Sequence, residues 1–155
     1  MKKIIVIALL TVVCSVAVNA QSRSIGGKLG YGIEATYQHW LGEENVLSVD
    51  LGFPAFCGVN AVATYDWLFP IPKWTNKGSW NWFLGAGAGA GVFFNSIVNV
   101  GVAGRVGIEY IFEDIPLQLS VDFRPVIGPA FAPGDGVTFG GIGMGGGGIA
   151  ARYMF

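Results

Sequence analysis

The sequence predicts an all-β fold, an eight-stranded antiparallel transmembrane β-barrel with short loops, and three observations carry that prediction. Hydrophobic residues make up 52% of the chain and charged residues 12%, about half the charged share of an average soluble domain. Much of the surface therefore has no need of water. Long segments alternate with period two, apolar on one phase and charged or small on the other. The chain closes on Arg152-Tyr153-Met154-Phe155, which at strand spacing puts two aromatics on one face and an arginine on the other. Barrel walls carry aromatic rings of this kind where lipid meets water.

Residues 1–20 read as a secretory leader that is cleaved. Met1-Lys2-Lys3 is positive, residues 4–13 are apolar, and Val18-Asn19-Ala20 resembles a cleavage site. Cys14 would suit a lipoprotein, but Thr11-Val12-Val13 lacks the small residues that lipid attachment wants directly before the cysteine. The expected mature chain, 21–155, has the size of one domain. Without Lys2 and Lys3 it carries 9 − 2 = 7 Lys and Arg against 10 Asp and Glu, a net charge of −3. No basic patch draws nucleic acid. Cys57 is then the lone cysteine, read as a small apolar side chain with no disulfide partner.

The elements follow in order. Strands are expected at 24–30 and 33–41, joined by Gly30-Tyr31-Gly32, with one long strand over 28–41 as the alternative. Parity favours two, because an odd number of strands cannot close antiparallel and an open edge in lipid leaves backbone groups unpaired. Further strands are expected at 46–53, 59–69, 80–94, 98–112, 116–126 and 138–155. The segment 70–79 is read as a connection, since proline does not extend a ladder, and the Gly/Pro-rich 128–137 as a loop. The uncharged stretch 78–104 would be long enough for a helix. However, Gly85, Gly87, Gly89 and Gly91 alternate with Ala86, Ala88 and Ala90, and each glycine would weaken a helix by up to about 1 kcal/mol.

With both chain ends in the periplasm, residues 42–45, 70–79 and 113–115 lie there too, and 30–32, 54–58, 95–97 and 128–137 lie outside. Tyr37, Tyr65, Trp67, Trp82, Tyr110, Phe112, Tyr153 and Phe155, with Trp80, then form a girdle at the periplasmic rim. The inward phase supplies Lys28, Glu34, Asp50, Asp66, Arg105, Glu109, Asp122, Arg124 and Arg152. Four positive and five negative charges in a lumen only wide enough for side chains read as a plug of paired charges, with a binding or ion-conducting site as the alternative.

These features resemble the small eight-stranded outer-membrane β-barrel proteins of the OmpA/OmpX-like superfamily, particularly those of Bacteroides-type bacteria. The resemblance spans the expected mature chain. It rests on Tyr37-Gln38-His39-Trp40-Leu41, Gly107-Ile108-Glu109-Tyr110-Ile111-Phe112, Ile115-Pro116-Leu117, Val121-Asp122-Phe123-Arg124-Pro125 and the closing Arg152-Tyr153-Met154-Phe155. It implies residence in the Gram-negative outer membrane, contact with its lipid and lipopolysaccharide, and assembly by the outer-membrane barrel machinery through Phe155. The short external loops depart from larger-looped adhesin relatives.

The expected function is a non-catalytic, monomeric integral membrane barrel with a structural or surface-interaction role and no cofactor. A narrow channel or hydrophobic-solute conduit is the alternative. A lipid A-modifying enzyme is the third reading, and it needs a histidine beside a nucleophile. His39 is the single histidine, expected at the rim on the lipid-facing phase, away from Ser48, Ser96 and Ser120. One histidine and one cysteine make no zinc site without carboxylate help. The glycine run 140–148 lacks the lysine and hydroxyl of a phosphate loop.

Overall fold

The computed structural model describes residues 23–72, 74–134, 136–139 and 146–155, and over these the chain is β-structure throughout. The expectations for residues 1–20, Cys14 included, and most of those for the glycine run lie outside the described residues. The elements are β1 (Arg23–Gly30), β2 (Gly32–Trp40), β3 (Asn45–Pro54), β4 (Gly58–Ile71), β5 (Ser79–Phe93) and β6 (Val98–Ile111). They continue as β7 (Leu117–Arg124), β8 (Val126–Ile127), β9 (Pro129–Ala132), β10 (Gly136–Phe139) and β11 (Gly146–Met154).

Each of β1 to β6 pairs antiparallel with the next, β7 pairs with β11, and β11 pairs back onto β1. The sheet is therefore a closed ring of eight. The first hairpin is two strands turning at Tyr31, as parity requires. At the seam Arg23 and Phe155 exchange backbone hydrogen bonds, Phe155 N to Arg23 O at 2.8 Å and Arg23 N to Phe155 O at 3.2 Å.

The register fixes the barrel's shape. Met154 faces Ser24 on one side and donates to Pro116 on the other. Following partners from Ser24 through Gln38, Ser48, Thr64, Gly87 and Ala103 returns to Val126, ten residues on from Pro116 (126 − 116). With eight strands that stagger gives a tilt of about 40° and a radius of about 8 Å. Side chains alone fill such a space.

Two expectations are corrected. Residues 128–137 are not a loop: β9 and β10 form a hairpin there, and β9 pairs with β6. The pairing of β6 with β7, β8 and β9 keeps one unbroken register, from Ile111↔Gln118 to Val98↔Phe131. The interruption at Pro125 is the loss of one donor, because Gly104 N still bonds Pro125 O at 2.9 Å while proline returns nothing. At Gly128 the strands crowd, and a Cβ there would meet Val100 O at 2.0 Å. Likewise Pro70 does not end β4. It pairs with Asn81, and Ile71 pairs with Trp80. A proline at the end of a strand forfeits little.

Alternation does the sorting. On β4, Asn60, Val62, Thr64, Asp66 and Leu68 are buried while Val59, Ala61, Ala63, Tyr65, Trp67 and Phe69 are exposed. Inside, two apolar clusters bracket the polar contents. Val46, Leu68 and Phe83 pack with Trp40 at the end that holds both chain ends, hereafter the near end. Val62, Ala103 and Val126 pack with Phe93 towards the far end.

Candidate functional site: the lumen

Every charged residue expected on the inward phase lies in the lumen, and the register decides which of them meet. Asp66, Gly85 and Arg105 are successive neighbours across β4, β5 and β6. Arg105 Nη1 reaches Asp66 Oδ2 at 2.9 Å, and its Nε and Nη2 reach Asp122 Oδ2 at 2.7 and 2.5 Å. The guanidinium also lies 5.2 Å from the centre of the Phe83 ring, a cation–π contact. Gly85 is what allows the pair to close, because a Cβ there would sit 1.9 Å from Asp66 Oδ1.

Lys28 extends the cluster, with Nζ 2.5 Å from Asp122 Oδ1 and 3.9 Å from Asp50 Oδ2. Arg124 completes it by pairing with Asp50 and, at 2.7 Å, with Glu34. Seven charges from β1, β2, β3, β4, β6 and β7 thus form one connected network. Buried charge is tolerable only on such terms. Glu34 is the most open member, its side chain 15% exposed at the far mouth.

The other two expected charges sit apart, towards the near end. Arg152 donates to hydroxyls, Nε to Thr36 Oγ1 at 3.0 Å and Nη1 to Ser120 Oγ at 2.7 Å. Glu109 accepts from Asn81 at 3.0 Å and from Gln118 at 2.5 Å. Neutral polar residues link this layer to the network. Gln38 donates to Ser48, and Ser48 to Asp66 at 2.5 Å, while Ser24 Oγ lies within reach of Gln38 and Gln118. The sequence reading gave these residues no role, although Gln118, Ser120, Asp122 and Arg124 share one phase of one strand.

The girdle residues gather at the near end. Tyr65 and Trp67 meet edge to face at 5.2 Å, and Phe69 stacks on Trp82 at 4.3 Å. Trp80, Tyr110 and Phe112 form a run with centroids 4.9 and 4.7 Å apart. Tyr37 and Tyr153 flank Ile25 in register, and Phe155 lies beside Arg23. A second set at the far end escaped the sequence reading: Tyr31, Phe53, Phe56, Phe94 and Phe131, all exposed. Tyr31, Phe56 and Phe94 occupy turns, where alternation gives no signal, while Phe53 and Phe131 lie on the far stretches of β3 and β9.

His39 lies on the outward phase between Arg23 and Leu47. Its Nδ1 is buried with no hydrogen-bond partner among the described residues. Cys57 is exposed, in the turn after β3. Among the described residues no group of three or more His, Cys, Asp or Glu is placed to hold a metal ion. No protein-family model, no curated protein and no solved structure matches this chain.

Proposed function

We propose that this chain is an integral outer-membrane barrel of the kind the OmpA/OmpX-like resemblance implies, with a structural or surface-interaction role and no catalytic one. One observation carries the reading: the wall faces outward with Leu29, Ile33, Leu51, Val102, Val121, Phe123 and Ile149, each 49% exposed or more, while Arg105, Arg124 and Arg152 are buried inside. That is the inverse of a soluble barrel, and hydrocarbon is the solvent that suits it. The outward apolar run on β4 from Val59 to Phe69 rises through ten residue steps (69 − 59), which at a 40° tilt is about 25 Å, the height of a membrane barrel's apolar band.

The closed network and the apolar cluster below it favour a filled lumen over a conduit. His39, turned outward and with no nucleophile bonded to it among the described residues, lends the lipid-modifying reading no support. The test is fractionation with heat-modifiable gel mobility. The protein is expected in the membrane fraction, released only by detergent, and running differently boiled and unboiled. Identical mobility from a soluble fraction overturns the reading. Planar-bilayer recordings are expected to show no conductance steps, and steady unitary currents would favour the channel.

A further inference from the structure

Glu109 is the odd carboxyl of the lumen. Glu34, Asp50, Asp66 and Asp122 each face a lysine or arginine nitrogen. Glu109 is 2% exposed, and among the described residues its side chain is bonded only to the amides of Asn81 on β5 and Gln118 on β7. The charged groups that face it are Arg152 on β11 and Arg105 further up β6. Neither forms an ion pair with it among the described residues. A buried carboxylate without a cation is costly, and such a group neutralises instead.

The hydrogen bonds leading away from Glu109 have one self-consistent direction. Asp66 pairs with Arg105 as a carboxylate and only accepts, so Ser48 places its single proton on Asp66 Oδ2 at 2.5 Å. Gln38 must then donate to Ser48 through Nε2, at 3.1 Å, which leaves its Oε1 facing Ser24 Oγ at 3.3 Å. Ser24 has one proton for two neighbours, Gln38 Oε1 and the Gln118 amide at 3.2 Å. With that proton on Gln38, the Gln118 contact closes only if Nε2 points at Ser24. Turning the amide over exchanges its oxygen and nitrogen and moves nothing else. The Gln118 oxygen then takes the position 2.5 Å from Glu109 Oε2. Two oxygens at that distance need a proton between them, and 2.5 Å suits O–H···O better than N–H···O.

We infer that Glu109 is a proton-binding site: in the folded barrel it stands as a carboxylic acid, donating to Gln118 and heading a chain that runs through Ser24, Gln38 and Ser48 to Asp66. The four cations Lys28, Arg105, Arg124 and Arg152 then meet four carboxylates, and the lumen is neutral without a counter-ion. The inference rests on the filled-lumen reading above and adds the proton that completes the filling.

The test compares the refolded parent with Glu109→Gln, an uncharged isostere whose amide N–H replaces the acid O–H towards Gln118. Both are unfolded in urea between about pH 6 and 8, where an unfolded glutamate is ionised. The folded parent then binds one proton more than its unfolded chain. Its folding equilibrium is therefore expected to weaken with rising pH by about tenfold per unit relative to the variant. Groups common to both proteins cancel in that difference. Infrared spectra of the folded proteins at neutral pH are expected to show a protonated-carboxyl band in the parent and none in Glu109→Gln.

Equal pH slopes overturn the inference, as does a parent spectrum without that band or a band that survives in Glu109→Gln. Should the variant fail to refold, the parent spectrum decides alone: isotope-labelled glutamate is expected to shift the band, and an unshifted or absent band overturns the inference. Steady unitary currents in planar bilayers would overturn the filled-lumen reading and this inference with it. Equal slopes without currents overturn the inference and leave that reading standing.

Discussion

Arg105 meets two carboxylates and an aromatic ring across a gap left by a glycine, and register places each of them. Removing the guanidinium strands Asp66 and Asp122, whose side chains are 2% and 1% exposed. Arg105→Leu is therefore expected to cost about 3–5 kcal/mol in urea unfolding of the refolded barrel. Adding Asp66→Asn and Asp122→Asn to it should recover much of that loss. The same pair makes Gly85→Ala destabilising, while Gly27→Ala, whose nearest non-neighbouring atom would lie 4.0 Å away, is expected to stay within about 0.5 kcal/mol of the parent. Matched unfolding curves of the two variants check this. Phase along a strand was enough to assign all nine charges to the interior. It was not enough to pair them, because phase says which way a side chain points and the stagger says at what height. Arg152 and Glu109 point into the same lumen as Arg105, yet hydroxyl and amide groups hold them at the near end.

The elements were legible wherever alternation ran long, as on β4 to β6, and failed where proline or glycine interrupted it. Pro70 and Gly128 read as strand ends, but β4 runs on through Pro70 against β5, and the partner β6 continues past Gly128 and carries β8 and β9 with it in one register. Neighbouring backbone overrides local propensity in a sheet, and a single sequence does not display its neighbour. The turn after β3 is a sharper case. Ala55 and Phe56 both adopt left-handed conformations, φ 47° and 57°, and Cys57 N closes onto Pro54 O at 2.9 Å. That is type I′ geometry, for which Asn-Gly is the preferred pair. Ala55→Asn with Phe56→Gly is expected to stabilise the barrel by about 1–2 kcal/mol, read as a later unfolding midpoint. A loss of stability would mean that the Phe56 ring contributes more through its surroundings than its backbone strain withholds.

For the whole molecule, the proposed membrane setting, with hydrocarbon outside and paired charge inside, makes stability depend on depth. Leu51, 55% exposed halfway up the wall, and Leu41, 52% exposed in the near-end turn, look alike by accessibility and differ only in height. Leu51→Arg is expected to cost about 2–4 kcal/mol in vesicles and Leu41→Arg about 0–1; equal costs would contradict the membrane band. The backbone exchange between Arg23 and Phe155 carries a further consequence. Because that seam is bonded like the other seven, the ring contains no privileged place to be cut. A circular permutant that links residue 155 to residue 23 and opens between Leu41 and Asn45 would keep every ladder bond of the parent. Chain order would then govern only the sequence in which strands join the sheet.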